Sequence, residues 1–249
     1  YTFFDRWYSH EGNPLLAADH ISVDEAKKYL AECVDEIEKR SLLYHAVGHG
    51  WTCEPFGISG LSWDSTDVEI DDTTKSYLAQ VNGERKLWGG VPLNTNLCYG
   101  NAEVRRRIVD DIVSYSESNP QIDLMHFWLA DGTNNHCECS LCKDTRPSDL
   151  YVQMLNELDQ KLTEKKLAVK IVFLIYVDLL WPPVEQKITN PDRFILMFAP
   201  ITRTYSDTLK KSEQPVTLPE YHRNQLKMPK SVEENVAFLE EWKQNNPCD

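Results

Sequence analysis

Lys170-Ile171-Val172-Phe173-Leu174-Ile175-Tyr176-Val177-Asp178 decides the fold. Its apolar, β-branched core predicts a strand over 169–177, and the acid that ends it marks where the strand gives way to a loop. At seven residues, Ile171–Val177 is the longest unbroken apolar run in the chain, far short of the roughly 20 that span a bilayer. No membrane span is expected.

Working outward, helix and strand patterns alternate on both sides of this run. On the N-terminal side, Ile122 to Leu129 reads as a buried strand, and Leu150, Tyr151, Met154, Leu155, Leu158 and Leu162 mark a helix between the two. Before these, Asn101 caps a helix carrying Val104, Ile108, Val109, Ile112 and Val113, and Val91 to Cys98 reads as a strand that contains a proline. Leu42 to Val47 reads as a strand entering the Gly48-His49-Gly50 loop. Ser22-Val23-Asp24-Glu25 is a capping box ahead of a helix with Ala26, Tyr29, Leu30, Cys33, Val34 and Ile37 on one face, which makes Cys33 a core residue. On the C-terminal side come a strand at Phe194 to Phe198, a long loop from about Ser206 to Lys230, and a helix opened by Ser231 with Val236, Leu239 and Trp242. Such alternation implies an α/β fold with a parallel sheet, because each parallel connection needs a crossover.

The chain has 249 residues, which one α/β barrel can fill, and reads as a single domain over 1–249. Its start, Tyr-Thr-Phe-Phe, with no initiator Met or signal sequence, suggests a piece of a longer multidomain protein. The net charge of −13 argues against nucleic acid, whose binding depends on clustered cations. Nothing in the sequence fixes an oligomeric state.

Ligands in parallel α/β folds bind at the C-terminal strand ends, where apolar runs turn polar. Those ends offer His45, His49, Trp51, Trp128, Asp131, Asn134, Tyr176, Asp178, Trp181, Arg203 and Tyr205. Aromatic platforms beside a few carboxylates suit a sugar, whose ring faces are apolar and whose transition state is cationic. Asp131 and Asp178 are the catalytic candidates. His49, Trp51, Trp128, Asn134, Tyr176 and Arg203 are the substrate-binding candidates, and His45 reads as a satisfied core histidine. Arg105-Arg106-Arg107, with Asp110 and Asp111 a turn later, reads as a solvated paired face.

Seven cysteines include Cys137-Glu138-Cys139-Ser140-Leu141-Cys142. Thiolates from one tight loop suit Zn²⁺, which wants a fourth ligand in a closed structural site. Cys98 is the first choice and His136 the second. Unligated thiols and an iron-sulfur cluster are the alternatives.

Asn96-Leu97-Cys98-Tyr99-Gly100-Asn101-Ala102-Glu103-Val104 resembles the Leu-Cys-x-Thr-Asn-Pro-Glu-Val motif of a bacterial family, the domain-of-unknown-function 4838 proteins. The Asp131 loop ending in CxCxxC and Tyr176 followed by Trp181-Pro182-Pro183 extend the resemblance over roughly Leu42 to Tyr205. Gly100 and Ala102 depart from the motif's Thr and Pro. The resemblance implies a (β/α)8 TIM-barrel-like fold, incomplete here at about six strands, and a glycoside hydrolase in which Asp131 is the acid/base and a second carboxylate lies on a later strand or beyond Asp249. It favours Cys98 over His136 as the fourth ligand of a structural zinc. It also implies a bacterial protein, and the lack of a span-length apolar run reads as a soluble chain, either cytoplasmic or exported. A carbohydrate-binding module without catalysis is the alternative; a zinc-dependent hydrolase would need an open coordination position that four thiolates deny.

Overall fold

A computed structural model describes residues 2–3, 23–60, 63–210 and 212–248. Four parallel strands form its centre: β2 (His45–Gly48), β5 (Leu124–Phe127), β6 (Lys170–Ile175) and β7 (Phe194–Phe198). The two residues of β1 (Thr2–Phe3) add to the β2 edge, so strand order follows chain order. A separate hairpin pairs β3 (Gln80–Val81) with β4 (Glu84–Arg85). The run that opened the sequence reading is β6, and Ile171 to Ile175 are all buried because neighbours flank it on both edges.

Five α-helices are described: α1 (Val23–Lys39), α2 (Asp72–Tyr77), α3 (Ala102–Ser118), α4 (Pro147–Glu164) and α5 (Val232–Asn245). Asn101 caps α3 by accepting the Glu103 N–H at 2.9 Å, and Ser231 with Glu234 closes a full capping box on α5. The apolar stripes of α3 and α4 are buried where their spacing places them. They join Ala46, Met125, Phe127, Ile171, Phe173, Ile175 and Phe194 in the main core, which therefore lies on one face of the sheet. The opposite face carries a small cluster of Trp128, Leu174 and Tyr176, with no α-helical residue in it among the described residues. That asymmetry leaves the second face for the site.

Four expectations are corrected. Val91–Cys98 is not a strand: two 3₁₀ turns, Trp88–Gly90 and Pro92–Asn94, interrupt it, and only a single antiparallel bridge, Leu97 to Leu78, remains. Pro92 has no N–H to give a ladder. On α1, Tyr29 and Cys33 are exposed and, among the described side chains, only Ile37 is buried, so Cys33 is not core; Ser22 and the side chain of Ala26 lie outside the described residues. On α5 Trp242 is buried as expected, but the rest of the buried stripe is Val232, Asn235 and Phe238, and the expected Val236 and Leu239 are only partly buried. Arg105 is buried, bonding Glu157 at 3.0 Å and the Tyr99 carbonyl at 2.9 Å, whereas Arg106 and Arg107 fit the solvated, paired reading through Glu103 and Asp110, Arg107 also lying over the Tyr77 ring.

The 182–188 segment between β6 and β7 is held from α4. Asp149, 1% exposed, accepts the backbone N–H groups of Val184, Glu185 and Gln186 at 3.1, 2.8 and 2.7 Å. Asp149→Ala strands these donors and should cost about 3 kcal/mol, or roughly 6–12 °C in Tm, in thermal denaturation.

Candidate metal centre and strand-end cluster

Cys98 follows the Leu97 bridge and precedes the Asn101 cap, where its N–H bonds the Tyr77 carbonyl at 2.8 Å. The other three thiols come from the loop between β5 and α4. All four sulfurs lie within 4.8 Å of one another, with Cys98 Sγ 3.4 Å from Cys139 and 3.7 Å from Cys142. Four soft donors so grouped are close enough to hold one metal ion, and Zn²⁺ fits that donor set. The Gln80 N–H donates to Cys137 Sγ and the Gly100 N–H to Cys142 Sγ, each at 3.3 Å, contacts that favour thiolate. Position 100 has room only for glycine: a Cβ there would sit 2.3 Å from the Leu141 carbonyl oxygen. His136 stands elsewhere, buried with Nε2 3.9 Å from Asp178, so Cys98 completes the group. Cys98 reaches the loop from a helix entrance and not from a parallel strand end.

The loop is braced from two further sides. From β3, Gln80 accepts the Glu138 N–H at 2.8 Å. From the long loop, Arg223 donates to the carbonyls of Cys137, Cys142 and Thr145, and Asn224 pairs with both backbone groups of His136.

The second assembly sits at the C-terminal ends of three parallel strands, where Gly48, Phe127 and Phe173 are in register and β6 runs on to Ile175. β2 delivers His49, β5 delivers Trp128 and Asp131, and β6 delivers Tyr176. The Tyr176 hydroxyl donates to Asp131 Oδ1 at 2.9 Å, with the Ala130 carbonyl at 3.1 Å. His49 Nδ1 donates to the Leu129 carbonyl at 2.7 Å, since a carbonyl can only accept. That fixes the tautomer and leaves the Nε2 lone pair facing Asp131 Oδ1 at 3.9 Å. Trp128 and Trp63 meet the His49 ring edge-on at 5.1 and 5.9 Å. Burial lowers the His49 pKa against the pull of Asp131 and, with the Asp131 charge beside it, raises the Tyr176 pKa well above its usual value. The Asp131 side chain is 34% exposed. Val47 and Val177, each two residues or fewer from this cluster, have φ of 64° and 42°. Left-handed backbone at a β-branched residue is strained, and such strain concentrates at functional sites.

Other nominated residues take different posts. Asp178 is 0% exposed; its oxygens accept the Thr133 hydroxyl at 2.8 Å and the Asn134 N–H at 3.1 Å, so it anchors the Asp131 loop from below. Asn134 exchanges two bonds with the Leu226 backbone at 3.0 and 2.8 Å. Trp51 is fully buried, its indole N–H on the His126 carbonyl at 2.9 Å, and belongs to the core; Trp181 packs on Phe238. Arg203 is engaged by its own loop, 4.3 Å over the Tyr205 ring. Trp63 was missed because it sits in an irregular Trp-, Asp- and Thr-rich segment with no periodicity to place it.

Behind Trp128, His126 Nε2 and His45 Nδ1 are 3.0 Å apart, and burial with the neighbouring imidazole lowers His126 to about 4. His126 is therefore neutral in the fold and charges near pH 6.5 in the unfolded chain. Its contribution is complete above pH 6.5 and is lost as pH falls toward 4, by up to about 3 kcal/mol. Urea midpoints across that window should decline in the wild type and flatten in His126→Gln.

Among the described residues, no helix is long and apolar enough to cross a membrane. Comparison with curated proteins finds no match. Residues 71–244, which include all four clustered cysteines and the Asp131–Tyr176 pair, match the family model described as Domain of unknown function (DUF4838), and the chain belongs to that family.

Proposed function

We propose that the strand-end cluster binds a neutral carbohydrate and that Asp131 is the proton-transferring carboxylate of a glycoside hydrolase-type reaction. The observation that carries this reading is the pair of acceptors, His49 Nε2 and Asp131 Oδ1, facing one another across 3.9 Å. Neither can donate to the other while His49 is neutral and Asp131 ionised. Two sugar hydroxyls, one donating to each acceptor, supply what both need, and the indoles of Trp63 and Trp128 offer apolar surface for the ring. Asp131 holds the exposed position that an acid/base requires, and Tyr176 keeps its carboxylate oriented.

The finer fold reading is a partial (β/α)8 barrel. Strand order without reversal and helices on one sheet face support it, and Met197, 36% exposed on the other face of β7, matches an interior awaiting further strands. Zinc at the four cysteines would be structural, since four thiolates leave no open position for water, and it would brace the loop that carries Asp131.

A second reading, recognition without cleavage, is favoured by Asp178. Glycosidases need two carboxylates roughly 5–10 Å apart, and Asp178 is spent on backbone and hydroxyl donors beneath the loop. Binding to a panel of neutral glycans, followed by hydrolysis of those bound, decides. Cleavage that Asp131→Asn abolishes supports the enzyme; binding without cleavage supports the module. A panel that yields neither removes the carbohydrate reading.

A further inference from the structure

The β3–β4 hairpin, the segment around Trp88 to Asn96 and Asn135 enclose a cavity of about 160 Å³ that shares no lining residue with the strand-end cluster. Three of its lining side chains are polar and almost wholly buried: Thr95, Asn96 and Asn135 are 3%, 1% and 1% exposed. Burying such groups costs free energy unless each is bonded, and here the bonds also fix which way the amides point. Asn135 Nδ2 donates to the Asn94 carbonyl, which can only accept, so Asn135 Oδ1 must receive the Asn96 Nδ2 N–H at 2.7 Å. Asn96 Oδ1 then takes the Tyr99 hydroxyl at 2.9 Å. An amide nitrogen carries two N–H groups, and among the described residues these bonds use one on each asparagine. Two oriented donors remain at the cavity wall.

Trp88, half-buried, adds an aromatic wall, and Thr95 holds its backbone by accepting the Trp88 N–H at 2.8 Å. Glu84 and Lys86, the charged residues of the lining, pair with each other at 2.6 Å, so a charged ligand meets no net opposite charge. The volume falls below the roughly 300–1,000 Å³ usual for whole small-molecule sites, which leaves room for one ring and not for a chain. A neutral ring with an apolar face for the indole and hydroxyl oxygens for the amide N–H groups meets all three constraints. The hairpin wall hangs on the cysteine loop, since the Asn82 N–H bonds Glu138 at 2.8 Å and the Gln80 N–H bonds Cys137 Sγ at 3.3 Å.

We propose that this cavity is a second carbohydrate site, which takes a single neutral sugar ring between Trp88 and the Asn96–Asn135 amide pair. It adds a binding place beyond the strand-end cluster, and the carbohydrate reading of that cluster stands or falls without it.

The test titrates the full chain, labelled with nitrogen-15, with glucose, galactose, mannose, xylose and N-acetylglucosamine in turn. At least one of these sugars should bind and shift the side-chain amide resonances of Asn96 and Asn135. Trp88→Ala removes the stacking face, and Ala79→Met fills the cavity without touching a polar side chain. Each should weaken that binding by roughly 10-fold or more. A sugar that binds both variants with the wild-type affinity overturns the site. So does a sugar that moves only the indole N–H signals of Trp63 and Trp128, an outcome that leaves the carbohydrate reading of the strand-end cluster in place. Failure of all the single sugars to bind also overturns the site, while the panel of longer glycans still judges the cluster. If neither variant folds, the Asn96 and Asn135 resonances of the wild type decide, since signals that stay still under every sugar refute the pocket.

Discussion

Stripping the metal with a strong chelator, or replacing Cys98 with Ser, should lower Tm by roughly 10–20 °C and open residues 131–146 to proteolysis. The size follows from what the centre joins. Cys98 stands at the entrance to α3, the three loop cysteines lead into α4, and Gln80, Gly100 and Arg223 bond the sulfurs and carbonyls of that loop. Without an ion, four thiols crowded within 4.8 Å keep only weak contacts with one another. Structural zinc contributes on the order of 10 kcal/mol in small domains. Here the main core survives its loss, so about 5 kcal/mol is the expected share, which at roughly 2–4 °C per kcal/mol gives the stated shift. Metal analysis on the purified protein should find one ion per chain, and an unchanged Tm in metal-free protein would falsify the structural role.

Asp131→Asn should reduce glycan hydrolysis by roughly 10²–10⁴-fold while changing glycan binding only a few-fold. The amide keeps the shape of the side chain and still accepts the Tyr176 hydroxyl, now 2.9 Å from Asp131 Oδ1, but cannot carry a proton to the leaving group. Because Asp131 is one-third exposed, the substitution strands no buried charge, and Tm should stay within about 1 °C. Tyr176→Phe should act more mildly, leaving the acid in place and loosening its aim. A parallel loss of binding and turnover in Asp131→Asn would assign the carboxylate to recognition instead.

The legible part of the fold was the part written in periodicity. β6, α3 and α4 bury the residues their spacing nominated, because each packs a simple face against the main core. α1 failed that logic: its stripe has 3.6-residue spacing, yet Tyr29 and Cys33 meet solvent, since spacing states which residues could be covered and not whether anything covers them. The Val91–Cys98 segment failed at Pro92, where turn chemistry outweighed apolar content. The cysteine group was readable because a soft-metal donor set is a matter of residue type and close spacing, and Cys98 joined it although the expected strand was absent. In the strand-end cluster, residue type located His49, Trp128, Asp131 and Tyr176 but could not separate them from Trp51, Asn134 and Asp178. Those three differ only in burial and bonding, which depend on partners as remote as Leu226. Trp63 reaches its site through irregular chain, and nothing local in the sequence announces it.

The separation of Cys98 and Cys142 by 44 positions has a mechanical consequence. If the chain were pulled from its two ends, tension would run into the centre at residue 98 and out at 142, bypassing α3, β5 and the loop between. Those residues would bear no load until a metal–sulfur bond broke. Extension would then jump by the hidden contour, about 150 Å at roughly 3.4 Å per residue, and a chelator should erase the step.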